Sequence, residues 1–233
     1  MMFYAPDMAE TQILPADEAR HCLRVLRMGK GDAVNVTDGK GRLYKTVIKG
    51  ADVNNCTLAV TEVITAPKHW TGFVELAVAP TKNLEKMKWM AEKIVEIGVD
   101  CISFINCKFS ERREINIEPI RRVMIAAMKQ SQKVRLPKLN EIVNFDAFAG
   151  NKFDGQKFIA HFDGGEKPTL AKACPPKSRV RIMIGPEGGF SKEEVKLSEK
   201  NGFTTVSLGK ARLRTETAAI IACQTVHLLE ELC

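Results

Sequence analysis

The sequence predicts an α/β protein in two parts: a small β-barrel over residues 1–68, then an α/β domain with a mostly parallel sheet over residues 73–233. Three observations carry that reading. Short runs of partly alternating apolar and polar residues, broken by turn chemistry, fill the first third, as half-buried strands require. From Phe73 onward, near-continuous apolar runs take turns with stretches of helical spacing, the pattern of strands covered on both faces by helices. Between them, Thr65-Ala66-Pro67-Lys68-His69 has the composition of a linker.

In the first part, residues 33–38, 42–49 and 57–64 are the expected strands, with Val34 and Val36, then Leu43 and Val47, at alternating positions. Gly39-Lys40-Gly41 and residues 52–55 supply the turns, and only 17–27 has helical character. In the second part, 73–79 (FVELAVA) is a buried strand. Met87, Met90, Ala91, Ile94 and Ile97 then recur at helical spacing, and Gly98 suits the stop. Residues 101–105 are a further strand. A helix starts near Glu118, with Pro119 in its first turn and Ile120, Val123, Met124 and Ala127 facing inward. Strands at 157–162, 179–184 and 204–208 follow, with a helix near 192–200 and a last helix running to Leu232.

A chain of 233 residues with 45% hydrophobic composition can bury a core without metal or disulfide staples. Its 35 Lys+Arg against 28 Asp+Glu give a formal charge of +7, which favours a polyanionic partner where the charge clusters. Seven cysteines, an odd number with no C-x-x-C pair, argue against a disulfide framework and a zinc site, so no metal is expected. The first residues lack the basic start and apolar run of a signal peptide, and no apolar run reaches the roughly 18 residues of a membrane span. A cytoplasmic protein with reduced thiols and no membrane partner is the expectation.

Two segments near the C-terminus carry chemistry. Residues 184–195 (IGPEGGFSKEEV) join a buried strand to a helix, where ligands of open α/β sheets bind. Three glycines there permit close backbone approach, and Ser191 with Glu194 is a capping box that sets where the helix begins. Residues 208–218 (LGKARLRTETA) again lie between strand and helix, crowding Arg212, Arg214 and Glu216 together. No glycine-rich fingerprint follows the strand at 73–79, which excludes a Rossmann nucleotide site; G-x-S-x-G and P-loop patterns are also missing.

These two segments resemble the RNA methyltransferases of the SPOUT superfamily, and specifically the RsmE family, which methylates N3 of a uridine in 16S ribosomal RNA. The similarity extends to His21-x-Leu23-Arg24-Val25-Leu26-Arg27-Met28, Gly31-Asp32 and Asp38-Gly39, which look like the family's PUA-like RNA-binding barrel. Glu96-Ile97-Gly98-Val99 resembles its E-L-G-V segment, and Gln130-Ser131 with Leu136-Pro137 its Q-S…P segment. The resemblance implies a trefoil-knotted domain, a homodimer, and S-adenosylmethionine bound among three loops. By that similarity the cofactor would meet Phe162, Asp163 and Gly164 in the loop beginning at His161; Ile184, Gly185, Glu187, Gly188, Gly189 and Phe190; and Leu208, Gly209, Leu213, Arg214, Thr215, Thr217 and Ala218. The chain departs from the family at Ala211 and Arg212, where an arginine followed by an aliphatic residue is usual.

Methylating uridine N3 requires loss of a weakly acidic imide proton, so Arg214 is the candidate to stabilise the developing charge, and Glu187 or Glu216 the candidate to handle the proton. Arg24 and Arg27, Arg112 and Arg113, Arg121 and Arg122, and Lys133 with Arg135 form the basic clusters expected to contact 16S rRNA or the assembled small subunit. A SPOUT enzyme acting on another rRNA or tRNA nucleotide is the nearest alternative.

Overall fold

The computed structural model describes residues 1–162 and 164–232. They divide into two compact units, Met1–Lys68 with Ile125–Leu136, and His69–Met124 with Pro137–Cys233. Among the described residues no helix is long and apolar enough to cross a membrane.

The first unit contains β1 (Met2–Tyr4), α1 (Met8–Thr11), α2 (Ala16–Arg20), β2 (Ala33–Thr37), β3 (Arg42–Ala51) and β4 (Cys56–Thr65). The sheet runs β1-β2-β3-β4, with β1 and β2 parallel and the other pairs antiparallel. Isolated bridges from Ile13 to Thr57 and from Lys40 to Arg135 extend the pairing. The three expected strands are β2, β3 and β4. The helical stretch is α2 followed by one turn of π-helix, His21–Val25. Asp38, 2% exposed, closes the β2–β3 turn: its carboxylate accepts from the Lys40 and Arg42 amides and pairs with Arg42 Nε at 2.9 Å. Gly39 follows at φ +71, where a Cβ would lie 2.8 Å from the Tyr4 ring. Phe3, Met8, Leu14, Val36, Tyr44, Ile48 and Leu58 form the core beneath.

The second unit begins with β5 (Phe73–Val78), α3 (Leu84–Ile97) and β6 (Cys101–Asn106). It also holds the start of α4 (Glu118–Gln130), then β7 (Lys138–Asn144), α5 (Phe145–Gly150) and β8 (Gln156–Ala160). It ends with α6 (Leu170–Ala173), β9 (Arg179–Ile184), α7 (Lys192–Lys200), β10 (Thr204–Val206) and α8 (Thr215–Leu232). The six strands lie in the order β10-β8-β9-β5-β6-β7, and every neighbouring pair is parallel. The chain steps outward from β5 to β6 and β7, crosses the sheet to β8, and slots β9 between β8 and β5.

Four adjacent strands share a buried polar ladder. Arg181 Nε meets Glu75 Oε2 at 2.8 Å, Ser103 donates to Glu75 Oε1 at 2.8 Å, and Asn140 Nδ2 donates to Ser103 Oγ at 2.9 Å. Sliding β5 or β9 by one residue would turn Glu75 or Arg181 to the opposite face and strand a buried charge, so this pair fixes their register.

Gly98 stops α3 as expected, at φ +140, where a Cβ would meet Trp70 at 2.8 Å. β1, α1, β7, α5 and α6 were not among the expected elements, and α1 shows that helix in the first unit is not confined to 17–27. Edge strand β7 buries only Leu139, leaving no apolar run, and six-residue α5 is too short to show a period.

Candidate functional site

Neighbouring strands β10, β8 and β9 release three loops at their carboxyl ends, and these enclose a cavity of about 480 Å³ lying wholly in the second unit. The loop after β9 is shaped by its glycines. A Cβ on Gly185 would lie 3.1 Å from the ring of Phe190, which is itself buried against Phe145 at 5.6 Å between centroids. Gly189 turns at φ +73 and donates its amide to Pro186 O at 2.8 Å. The expected capping box follows: Ser191 Oγ accepts from the Glu194 amide at 3.2 Å, and Glu194 Oε2 accepts from the Ser191 amide at 2.7 Å. Glu194 Oε1 also accepts from the Lys108 amide at 2.7 Å, tying the start of α7 to the loop after β6. The loop after β10 ends at Thr215, whose hydroxyl donates to Gly185 O at 2.9 Å and so joins two walls of the cavity.

The cavity brings together Phe162, Ile184, Gly185, Glu187, Gly188, Gly189, Phe190, Leu208, Gly209, Leu213, Arg214, Thr215 and Ala218. Gly164 and Thr217 do not line it, and Asp163 lies outside the described residues. Ala160, His161, Pro186, Ser207, Ala211 and Arg212 line it as well. Each is a sequence neighbour of a residue already singled out, since a loop wrapping a cavity contributes consecutive backbone. Ala211 and Arg212, where the chain departs from the family pattern, are both exposed there.

The three candidates for chemistry part company. Glu187 and Arg214 are exposed on the cavity wall, and neither side chain makes a hydrogen bond or ion pair among the described residues. Glu216 lies outside the cavity, 6% exposed, with Lys86 Nζ of α3 at 3.2 Å. A buried carboxylate already paired is suited to bracing α8 on α3 rather than to moving a proton.

The basic residues divide in the same way. Arg112 donates to the carbonyls of Thr81 at 3.2 Å and Lys82 at 2.6 Å, and Arg135 to Lys40 O at 3.1 Å. Arg121 pairs with Glu118 at 3.4 Å, and Lys133 is half-buried. Arg24, Arg27, Arg113 and Arg122 are exposed and unpaired among the described residues. Arg113 shares a second cleft, of about 910 Å³, with Lys108, Lys196 and Lys200.

A wholly parallel α/β domain, with a cavity walled by glycine-bearing loops over adjacent strand ends and a small β unit alongside it in the chain, defines a two-domain α/β protein with a small-ligand site at its strand ends. A family model described as an RNA methyltransferase domain matches residues 69–227, and one described as an RNA methyltransferase PUA domain matches residues 14–61. The chain belongs to this RNA methyltransferase family. Ribosomal RNA small subunit methyltransferase E from Buchnera aphidicola is 30% identical over 92% of this chain and 87% of its own. A crystal structure of a probable rRNA-methyltransferase from Porphyromonas gingivalis is 41% identical, with a TM-score of 0.95 over 99% of this chain and 98% of that one. A Legionella pneumophila protein assigned as a methyltransferase, solved with the bound cofactor SAM, is 28% identical, with a TM-score of 0.85 over 97% and 96% of the two chains.

Proposed function

We propose that this protein transfers a methyl group from S-adenosylmethionine to N3 of a specific uridine in 16S ribosomal RNA, as a cytoplasmic homodimer acting on the rRNA or the assembled small subunit. The observation that carries the reading is the cavity of about 480 Å³ with an unpaired Arg214 and Glu187 on its wall. Its size falls in the ordinary range for small-ligand sites, and its chemistry fits the cofactor. Phe162, Ile184, Leu208, Leu213 and Ala218 offer apolar surface to an adenine and a thioether, while the glycines at 185, 188, 189 and 209 leave backbone amides and carbonyls within reach.

The bound cofactor supplies an electrophilic methyl group. The rest falls to the chain. Arg214 presents donors that stabilise negative charge on O2 or O4 of the base as the imide proton leaves. Glu187 accepts that proton or orients the water that does. Glu216, held by Lys86, keeps the start of α8 in place. Ile221, Leu228 and Leu232, respectively 39%, 46% and 73% exposed on α8, form an apolar stripe that supports the homodimer.

Isothermal titration tests the reading. S-adenosylmethionine and S-adenosylhomocysteine should each bind at one site per chain and NAD at none, with a dimer on a sizing column. Binding of NAD without either S-adenosyl ligand would overturn it.

A further inference from the structure

The loop after β9 is pinned at its base and open at its tip. Thr215 bonds to the Gly185 carbonyl, and Phe190 packs on Gly185. Glu187 and Gly188, at the tip, are exposed, and the Glu187 side chain makes no hydrogen bond or ion pair among the described residues. Its position is therefore set by the backbone on either side. On one side, the Pro186 carbonyl accepts the Gly189 amide at 2.8 Å. On the other is Gly188, which, unlike Gly189, lies outside the positive-φ region, so no turn demands glycine there. Space does. A Cβ on Gly188 would lie 2.9 Å from the Cβ of Phe109, closer than two such carbons can approach.

Phe109 is in turn carried by a loop with little freedom. Residues 107–110 close on themselves: the Cys107 amide donates to Ser110 Oγ and the Ser110 amide to Cys107 O, each at 3.0 Å. The Lys108 amide donates to Glu194 Oε1 at 2.7 Å, on the carboxylate whose other oxygen caps α7. Arg112, through the carbonyls of Thr81 and Lys82, ties the same loop to the one after β5. Lys108 Nζ, paired with Glu193, stands 5.7 Å from the centre of the Phe109 ring. Phe109 is nonetheless 47% exposed, so it adds little to the core. A ring held this firmly and left half in solvent braces its neighbour more than it stabilises the fold.

We propose that Phe109 is a positioning residue for methyl transfer: its side chain, set against Gly188, holds the adjacent Glu187 carboxylate in place on the cavity wall. This role rests on that of Glu187 proposed above. Rates respond steeply to such placement, since a displacement of about 1 Å can cost about 10²-fold.

The test is single-turnover methylation with saturating S-adenosylmethionine, on naked 16S rRNA or unmodified small subunits, whichever accepts the methyl group. Phe109→Ala removes the ring from Gly188 and should lower the rate constant roughly 10- to 100-fold. Tm, cofactor Kd and RNA Kd should change little. Phe109→Leu keeps branched carbons at the contact and should recover most of the rate. In a Glu187→Gln background, Phe109→Ala should cost little more, because the two residues act in series. A parental rate in Phe109→Ala would overturn the role of Phe109, and so would full additivity with Glu187→Gln. A rate loss that tracks a lower Tm would make the contact structural only, against the proposal. Weakened RNA affinity that Phe109→Leu fails to restore would replace positioning with stacking on a base. Each of these results leaves Glu187 in its role. If Glu187→Gln methylates at the parental rate, or the parent methylates neither substrate, the readings of Glu187 and Phe109 fall together.

Discussion

Thr215 Oγ1 donates a hydrogen bond to Gly185 O at 2.9 Å, and through it the first residue of α8 holds the first residue of the loop after β9. Thr215 is 4% exposed, so water cannot replace the bond if it is lost. Thr215→Val keeps the shape and removes the donor; it should cost about 1–3 kcal/mol of stability. Cofactor affinity should fall about tenfold as the two walls loosen, while Thr215→Ser should retain both. Melting curves and titration of Thr215→Val that match the parent would contradict this role.

The separation of Glu187 and Arg214 from Glu216 makes opposite predictions for nearby residues. Arg214→Ala should lower kcat and kcat/KM together by about 10²–10³, and Glu187→Gln should lower kcat, each with little change in Tm. Lys86→Met leaves the Glu216 carboxylate buried and unpaired; because Lys86 is partly exposed, the cost should be about 1–2 kcal/mol of stability, with the single-turnover rate nearly kept. An early-melting or monomeric Arg214→Ala variant would reassign Arg214 to bracing.

Arginines that look equivalent in sequence should behave differently with RNA. Arg113→Ala and Arg122→Ala, which remove free guanidinium groups, should each weaken 16S rRNA binding and reduce the magnitude of the log–log salt slope by about 0.7–0.9 if each meets one phosphate. Arg112→Ala removes donors to two backbone carbonyls and should lower Tm instead. Equal loss of RNA affinity from Arg112 and Arg113 variants, with equal Tm, would erase the distinction.

The cysteines give a pH dependence. Burial above all, then the neighbouring Cys56, Asp32 and Glu18, pushes the Cys22 thiol up to about 11; burial, then Glu75, pushes Cys101 up to about 11. An unfolded thiol ionises near about 8.5. The folded value is the higher one, so the stabilisation is complete below about pH 8.5 and is lost as pH rises towards 11. Native protein at pH 8 should leave Cys22 and Cys101 unlabelled by a disulfide-exchange reagent, and Cys22→Ala should flatten the fall in Tm between about pH 9 and 11. Labelling of Cys22 or Cys101 in the native state, mapped by mass spectrometry, would contradict the burial argument.

The cavity loops were legible because their signals are local: glycines at 185, 188, 189 and 209, and a capping box whose partners sit three residues apart. The stop of α3 at Gly98 was legible for the same reason. What stayed hidden depends on long-range pairing. Nothing in the spacing around Glu216 reveals Lys86 as its partner, and nothing in Arg112 or Arg135 reveals the carbonyls they hold. Edge strand β7 carries too little apolar sequence to announce itself, because only one of its residues is buried.

The central claim is methyl transfer to uridine N3, and one measurement reaches it directly. Purified protein is incubated with isotope-labelled S-adenosylmethionine and, separately, with naked 16S rRNA and with small subunits from cells lacking the enzyme. The RNA is digested to nucleosides and resolved by mass spectrometry, and the labelled position is mapped. Labelled 3-methyluridine is expected at a single site in at least one of the two substrates, with loss of the label in Arg214→Ala. Label in any other nucleoside, or none in either substrate from a dimer that binds the cofactor, would contradict it.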